Sequence, residues 1–421
     1  MFPLTLDLID FLLAEPAEHA LTEFSRADLS QQAELRTLTA LRQRFAPNQA
    51  AALLDQARLR ERARGKFPLA DRLLFVDDAL QQASRRAVAT YRAQQFAAFL
   101  NPSLLFAPNP PLSTLHSPLS TPHPPPSTLL VADLGCGIGA DTIALAEAGL
   151  HVLAVERDPV RARIAQVNVA ALDLADRVEV RCEDWTTAHF DVDAAFVDPS
   201  RRSGEQRIFR LADMEPPFSA VLALSEQTPA MAVKTMPGIA DEDIPPNAEV
   251  EFISERGAMK EALLRFGGLR TGAARRATLL SGPSQLDSNS PVGDVPTSEP
   301  LAFLFEPDPA ILRATLVQHL ATQLGAAQLD PTIAYLTIDR LVDTPFVKAW
   351  RVLRHGPFHL KTLNHWLREM NAGEVVVKKR GTAIDPDEFR RRLKTTAGGQ
   401  PLTVILTRVQ ARPWMIVTRE P

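Results

Sequence analysis

The clearest chemical pattern lies in three alternating glycines, Gly135, Gly137 and Gly139, which follow an apolar run and precede an amphipathic stretch. This order predicts a strand, a tight turn and a helix, because glycine adopts φ > 0 and leaves the backbone open to a ligand. A second apolar run ends at Glu156, where an acid can accept hydrogen bonds from ribose hydroxyls. The segment therefore predicts a nucleoside cofactor site, with Asp133 placed to accept from an ammonium group or to order the loop.

The glycine spacing separates two classes of cofactor site. Dinucleotide enzymes have G-x-G-x-x-G, whereas this chain has G-x-G-x-G after Asp133-Leu134. It resembles motif I of the class I S-adenosylmethionine-dependent methyltransferases, which implies S-adenosylmethionine (SAM) as cofactor. The methionine end would lie over the glycine turn and Glu156 would bind the ribose.

Further cofactor contacts are expected where the next strands end, because ligands of open parallel sheets lie at the carboxyl ends of the strands. Arg157 follows Glu156 at the second strand, and Asp184 and Trp185 follow the third. Asp184 is placed to accept from the adenine amino group. Trp185 either covers the adenine ring or packs in the core.

The fourth strand is followed by FVDPSRRSG, residues 196–204, on the side to which the methyl group would point. Asp198 resembles the acid of the D-P-P-Y motif of amine methyltransferases and is the predicted catalytic residue. Ser200 stands at the second proline and Arg201 at the aromatic on which a target base would stack. Arg201, a second candidate for catalysis, and Arg202 could clamp a phosphate or carboxylate, which favours an anionic substrate or else a structural ion pair.

The same region can be compared with two other classes of methyltransferase. D-P-x-R also resembles the RNA 5-methyluridine enzymes, but these need a cysteine nucleophile, and neither Cys136 nor Cys182 stands where it belongs. Ribose 2′-O-methyltransferases place a lysine after the fifth strand to help deprotonate a hydroxyl. Lys234 could have this role together with Asp198 and either Glu255 or Glu261, with Lys66 as a remote fourth member. Lys234 could equally anchor an anion.

Composition limits the class of protein. The chain has 421 residues, 45% hydrophobic and 23% charged, with a net charge of -4, so it is an ordinary globular protein without a global attraction to nucleic acid. Two cysteines cannot form a disulfide framework or a zinc site. The N-terminal segment lacks a basic region and no apolar run is long enough for a membrane span, so a cytoplasmic location without membrane or metal is expected.

The pattern along the chain predicts an α/β fold in five segments. They are a helical N-terminal domain (1–106), a Pro/Ser-rich linker (107–127), a Rossmann-like SAM-binding core (128–280), a second linker (281–300) and a C-terminal α+β domain (301–421). The core alternates strands and helices, and its last two strands, near 248–255 and 274–280, are expected to form an antiparallel hairpin.

The C-terminal segment reads β, α, β, α, β, β from residue 348 onward, which predicts a ferredoxin-like sandwich. Residues 340–394 carry thirteen Lys or Arg against six Asp or Glu. This basic region is either a docking surface for a polyanion or ordinary surface charge. Lys378, Lys379 and Arg380 are its candidate substrate-binding residues.

The layout as a whole resembles the bacterial methyltransferases with a THUMP-like C-terminal domain. The resemblance rests on D-P-S-R-R, V-K-x-x-P-G, S-E-R-G-x-M-K-E-A and K-K-R-G, and covers nearly the whole chain. It implies a SAM-dependent methyltransferase acting on RNA, at a base amine or a ribose hydroxyl. Two alternatives remain: a methyltransferase of a small anionic metabolite, or a catalytically silent module that binds SAM and RNA.

Overall fold

The computed structural model describes residues 3–24, 31–101, 129–201, 211, 214–282 and 284–421, and the side chains of residues 31–34, 200 and 201 are not described. The chain forms two compact units: the first holds residues up to Ala248 together with Leu263–Thr271, and the second holds Glu249–Ala262 and Gly272–Pro421. The predicted linker 107–127 lies outside the described residues. The units do not follow the predicted domain boundaries.

The first unit begins with helices and continues as an alternating α/β fold. Its helices are α1 (Leu6–Leu12), α2 (Glu15–Phe24), α3 (Gln31–Arg42), α4 (Pro47–Ala63), α5 (Asp77–Gln82), α6 (Arg86–Leu100), α7 (Ala140–Glu147), α8 (Pro159–Ala171) and α9 (Phe218–Gln227). Its strands are β1 (Leu130–Leu134), β2 (His151–Glu156), β3 (Val178–Cys182), β4 (Ala194–Val197), β5 (Ser200–Arg201), β6 (Met214–Glu215) and β7 (Ala230–Thr235).

Five of these strands form a parallel sheet in the order β7-β4-β1-β2-β3. β1, β2 and β4 are short apolar strands that are almost wholly buried, as expected for a parallel sheet covered by helices on both faces. The strand order reverses between β1 and β4, and the crevice at this reversal is where open α/β sheets bind ligands. The predicted Rossmann-like core is confirmed.

The N-terminal helices share a core with the α/β part. Ile9, Leu53 and Leu80 belong to one buried cluster with Ile138 and Ile164. Ile138 lies within the glycine turn and Ile164 lies in α8. The buried side chain of Asn168 adds polar contacts, since it accepts from Leu74 N and donates to the carbonyls of Leu74 and Ile138. The helices bury their apolar faces against the cofactor fold and do not form a separate compact unit.

The second unit contains the remaining elements. They are β8 (Glu249–Glu255), the first part of β9 (Ala258–Gly267), β10 (Arg275–Leu279), β11 (Ser284–Asp287), β12 (Phe303–Pro307), α10 (Pro309–Arg313), α11 (Val317–Leu324), β13 (Ala327–Asp330), β14 (Ile333–Ile338), β15 (Val347–Pro357), α12 (Leu360–Glu369), β16 (Ala372–Lys379), α13 (Pro386–Arg390), β17 (Gln400–Val409) and β18 (Arg412–Arg419).

Two expectations for this unit need correction. β8 and β10 were expected to form an antiparallel hairpin, but they pair in parallel, because β9 occupies the chain between them and a parallel pair needs such a connection. The segment 281–300 was expected to be a linker, but it contains β11, which pairs with β10 and buries Leu286.

The C-terminal sheet has seven strands in the order β13-β14-β12-β15-β18-β17-β16. From β15 to β18 the elements follow the predicted order β, α, β, α, β, β. Helices α12 and α13 pack against it through Leu363, Leu367 and Phe389. Trp350, within the basic region, is 3% exposed and belongs to the core.

Candidate active site

The glycine turn after β1 has the backbone conformation that the sequence predicts. Gly135, Gly137 and Gly139 have φ of 84°, 57° and 89°, a region that side chains disfavour. A Cβ on Gly135 would lie 2.8 Å from the carbonyl oxygen of Asp198, whereas one on Gly137 would meet nothing within 4 Å. Gly135 therefore permits the turn to pack against the loop after β4, and Gly137 leaves open space.

Glu156, at the end of β2, binds the glycine turn directly. Its carboxylate accepts from the backbone N–H of Gly137 at 2.9 Å and from that of Asp158 at 3.0 Å. The side chain is 7% exposed. The acid thus orders the loop, and each of its oxygens retains a second lone pair with which to accept a ligand hydroxyl.

Asp133, at the end of β1, is fully buried. Its Oδ2 accepts from the Thr142 hydroxyl at 2.5 Å, and its Oδ1 has no hydrogen-bond partner among the described residues. Burial, followed by the charge of Asp141, raises the pKa of Asp133 to about 8. An unpartnered buried carboxyl oxygen beside an open glycine turn fits a ligand that brings a cationic donor.

Asp198 and Lys234 come together from the ends of neighbouring strands β4 and β7. The Lys234 ammonium donates to Asp198 Oδ2 at 2.7 Å, and the two side chains are 19% and 27% exposed. The pair lies at the carboxyl end of the sheet, next to the glycine turn through the contact of Gly135 with the Asp198 carbonyl. This arrangement can orient a carboxylate toward a reacting group.

The α5–α6 connection also reaches Lys234, a contribution that the sequence did not reveal. Lys234 Nζ lies 3.4 Å from both the Gln82 carbonyl and the Ser84 hydroxyl. The Ser84 hydroxyl accepts from Arg92 at 2.8 Å. No local pattern marks Ser84 as a site residue, because Lys234 lies 150 residues away in the chain.

Lys66 holds the same connection from the other side. Its ammonium donates to the carbonyls of Leu80, Gln81 and Ala83 at 2.6 to 2.9 Å. Burial, followed by the charge of Lys234, lowers the pKa of Lys66 to about 8. The predicted remote member of the lysine set is therefore an anchor for the end of α5.

Arg92 forms a buried ion pair behind the site. Its guanidinium donates to Asp141 at 2.5 Å and lies 4.2 Å from the centre of the Phe196 ring, which belongs to β4. The two charged side chains are 2% and 9% exposed. Burial raises the pKa of Asp141, but the charges of Arg92 and Lys234 and hydrogen bonds from Arg92 and Ser84 outweigh it, so the net pKa is lowered.

The residues predicted for the adenosine end have contacts of their own. Arg157 forms an exposed ion pair with Glu215 at 2.9 Å. Asp184 accepts from the backbone and hydroxyl of Thr186, and these bonds hold the pKa of Asp184 below its usual range. Trp185 is 9% exposed, so most of its side chain is buried within the protein.

The predicted substrate-binding residues lie in two parts of the chain, after β4 and at the end of β16. Arg201 pairs through its backbone with Met214, and Arg202 lies outside the described residues. In the second unit, Lys378 and Arg380 lie 2.5 and 3.8 Å from Glu306. Lys379, between them, is exposed.

Glu255 and Glu261, the acids suggested as partners of Lys234, belong to the second unit. Glu255 lies 3.8 Å from Lys260, on the neighbouring strand of the same unit, and Glu261 is buried. The contacts of Lys234 described above come from the first unit.

The sequence is related to two mycobacterial proteins over most of its length. Proteins from Mycobacterium tuberculosis strains CDC 1551 and H37Rv, both described as uncharacterized S-adenosylmethionine-dependent methyltransferases, are 33% identical over 382 residues, covering 88% of this chain and 96% of theirs. The chain belongs to the S-adenosylmethionine-dependent methyltransferases. Its cofactor is accordingly S-adenosylmethionine.

Two regions of the methyltransferase match domain families, and its fold has a solved counterpart. Residues 347–420 match the THUMP domain-like family, and residues 5–63 match a domain family of unknown function. The crystal structure of a candidate methyltransferase from Porphyromonas gingivalis W83 superposes with a TM-score of 0.73 at 20% identity, covering 97% of this chain and 99% of that one. The two chains therefore share a fold over nearly all of their length.

In the described parts of the methyltransferase, none of the helices is long and apolar enough to cross a membrane. Within the same residues, no group of three or more His, Cys, Asp or Glu side chains could hold a metal ion.

Proposed function

We propose that this methyltransferase modifies RNA, at a base amine or a ribose hydroxyl. The observation that carries the proposal is the Asp198–Lys234 pair at 2.7 Å, which lies beside the glycine turn at the reversal point of the sheet. Open α/β sheets bind their ligands at this point, so a carboxylate held there is placed to act on the group that is methylated.

The cofactor residues follow from the same geometry. S-adenosylmethionine supplies an electrophilic methyl group on its sulfonium sulfur. Asp133, with its unpartnered Oδ1, would accept from the methionine ammonium, and Gly135, Gly137 and Gly139 would let the backbone contact the cofactor. Glu156 would bind the ribose hydroxyls.

The adenosine end of the cofactor would lie beyond Glu156. We place Arg157, Asp184 and Trp185 there, at the ends of β2 and β3. The exposed Asp184 carboxylate keeps an oxygen, Oδ2, that could accept from the adenine amino group, since the bonds to Thr186 use Oδ1.

Asp198 has the central chemical role in this proposal. Its carboxylate would accept a hydrogen bond from the N–H or O–H of the acceptor and receive the proton released on methylation, while Lys234 orients it through Oδ2. The rate would depend mainly on holding the acceptor in line with the methyl group. Arg201 and Arg202 would bind the phosphate of the substrate.

RNA is supported as substrate by the THUMP-like region, because THUMP modules bind RNA in other modifying enzymes. This region also carries the basic residues that a polyanion requires. Lys379 is exposed within it, whereas Lys378 and Arg380 lie beside Glu306.

The test is to incubate the protein with methyl-labelled SAM and total RNA from a strain that lacks the gene. After digestion, we expect label in one modified nucleoside. Label that survives alkaline hydrolysis in a dinucleotide would identify ribose 2′-O-methylation, since the methyl group removes the hydroxyl that alkali requires. Label found only in small molecules or protein would overturn the RNA proposal.

A further inference from the structure

The helical N-terminal part of the first unit contributes polar groups to the proposed active site. Between α5 and α6, the Gln82 carbonyl and the Ser84 hydroxyl both lie 3.4 Å from Lys234 Nζ. The connection is held in place by Lys66, which donates to three carbonyls in residues 80–83.

Ser84 is the centre of this set of contacts. Its side chain is buried, accepts from Arg92 at 2.8 Å and lies near Lys234. It also hydrogen-bonds the Asp141 carboxylate. A hydroxyl has one donor and two acceptor positions, so donation to Asp141 and acceptance from two cations use its full capacity.

The partners of Ser84 each belong to a part of the proposed site. Asp141 lies in the first turn of α7, directly after the glycine turn, and Lys234 binds Asp198. Arg92 stacks on Phe196, two residues before Asp198. One small side chain therefore contacts groups on each side of the reversal point of the sheet.

We propose that Ser84 is a positioning residue that holds the Lys234 ammonium against Asp198, so that the N-terminal helical part completes the active site. This inference rests on the proposed function, since it takes Asp198 and Lys234 as the catalytic pair. Buried supporting side chains of this kind fix the geometry of the groups that react.

The first experiment measures Lys234 directly and needs no substrate. The purified protein is reductively methylated with formaldehyde and dimethylamine–borane, and the modification of Lys234 relative to exposed Lys379 is followed by peptide mass spectrometry. We expect Ser84→Ala to increase the labelling of Lys234 several-fold. Ser84→Thr, which keeps a hydroxyl, and Ser225→Ala, which removes a serine hydroxyl elsewhere in the first unit, should label as wild type. Unchanged labelling in Ser84→Ala would overturn the proposal.

The second experiment is a double-mutant cycle in the RNA assay. Ser84→Ala should lower turnover about tenfold, the order expected for losing one hydrogen bond to a charged group, with the affinity for S-adenosylhomocysteine unchanged. In a Lys234→Met background the same substitution should have no further effect, because Ser84 acts through Lys234. Independent effects would show a merely structural role and overturn the inference.

The two experiments separate this inference from the proposed function. If no RNA is methylated by any variant, the proposed function fails, and the labelling of Lys234 alone still decides whether Ser84 holds it. Circular dichroism and S-adenosylhomocysteine binding show whether Ser84→Ala is folded. If it is not, Ser84→Cys replaces it, because a thiol keeps the volume and is a weak hydrogen-bonding group.

Discussion

At the residue scale, the acids at the ends of β2 and β4, the two strands that flank β1, have different surroundings. Glu156 accepts from the backbone N–H groups of Gly137, in the glycine turn, and of Asp158, the N-cap residue of α8. Asp198 is bound by a side-chain ammonium from β7. The first acid therefore suits cofactor binding and the second suits the reacting acceptor.

This difference predicts that substitution of Asp198 lowers methyl transfer, whereas substitution of Glu156 weakens cofactor binding. Asp198→Asn should lower methyl transfer by about 10²-fold or more, as for the loss of a general base, while the dissociation constant of S-adenosylhomocysteine stays within about twofold. Glu156→Ala should weaken cofactor binding by about 10- to 100-fold through lost hydrogen bonds to a charged group. Isothermal titration calorimetry and the RNA assay measure the two quantities.

Asp176→Asn, at an exposed aspartate, is the matched control. This substitution should change neither the rate of methyl transfer nor the affinity for S-adenosylhomocysteine. Full activity in Asp198→Asn would show that the proposed site is misplaced.

Asp133 predicts a pH dependence of stability. Its pKa is raised to about 8 in the folded protein, well above the ordinary value of an aspartate. The folded state therefore binds more protons than the unfolded state between about pH 4 and pH 8. The stability that this group contributes is present below pH 4 and is lost as the pH rises through 8.

Asp133→Asn should remove the pH-dependent stability that Asp133 contributes. The free energy of unfolding of this variant should therefore fall less than that of the wild type between pH 6 and pH 8. Urea denaturation at the two pH values measures the difference. Equal slopes for both proteins would contradict the burial of an uncharged Asp133. Thr142→Val, which removes the hydroxyl that donates to Asp133 but keeps the carboxyl, should retain the dependence.

At the scale of elements, α6 is joined to α7 by two ion pairs that differ in burial. Arg92 and Asp141 are 2% and 9% exposed, whereas Arg86 and Glu147 are 41% and 34% exposed. Loss of one partner from a buried pair leaves an uncompensated charge, while exposed pairs contribute little.

Arg92→Met should therefore lower the free energy of unfolding by about 3–5 kcal/mol. Arg86→Met, on the same helix, should lower it by about 0–1 kcal/mol. Urea denaturation monitored by circular dichroism compares them. Similar losses in both variants would mean that burial does not govern the contribution of these pairs.

The elements also show where the sequence pattern was insufficient. Apolar runs and the glycine turn identified β1, α7 and β2, because their periodicity and turn chemistry are local. The short strand β11 was read as linker, since four residues with one buried leucine give no periodic signal. The parallel pairing of β8 and β10 depends on β9 between them, and periodicity does not specify pairing partners.

At the scale of the whole molecule, the salt dependence of substrate binding distinguishes RNA from a small metabolite as the methyl acceptor. RNA binding through Lys or Arg releases counterions, so its affinity falls as salt concentration rises, whereas a small metabolite would show a much weaker dependence. Exposed Lys379 is the predicted contact best placed for RNA, because Lys378 and Arg380 lie beside Glu306.

Lys379→Ala should weaken binding to total RNA. It should also reduce, by about 1, the slope of the logarithm of the binding constant against the logarithm of the salt concentration. Filter binding at 50 to 200 mM salt measures both quantities. Lys379→Arg retains the charge and should bind as wild type, and Asp198→Asn should bind RNA without methylating it. A salt slope near zero for the wild type would favour a small anionic acceptor.

The sequence by itself determined the cofactor turn, the acids at the strand ends, the Rossmann-like core and the order of elements in the C-terminal domain. These features depend on residues close together in the chain, where glycine conformations, apolar periodicity and strand ends act locally. The sequence also proposed Asp198 and Lys234 as partners, through the resemblance to the ribose 2′-O-methyltransferases.

Only the tertiary structure revealed that Ser84 contacts Lys234, that Arg92 contacts Ser84, and that Lys66 binds the connection between α5 and α6. No pattern in the sequence marked Ser84 or Arg92, and these residues reach the site because the N-terminal helices share a buried core with α8 and the glycine turn. Contacts between such distant segments are fixed by packing over the whole unit, and no spacing within the sequence encodes them.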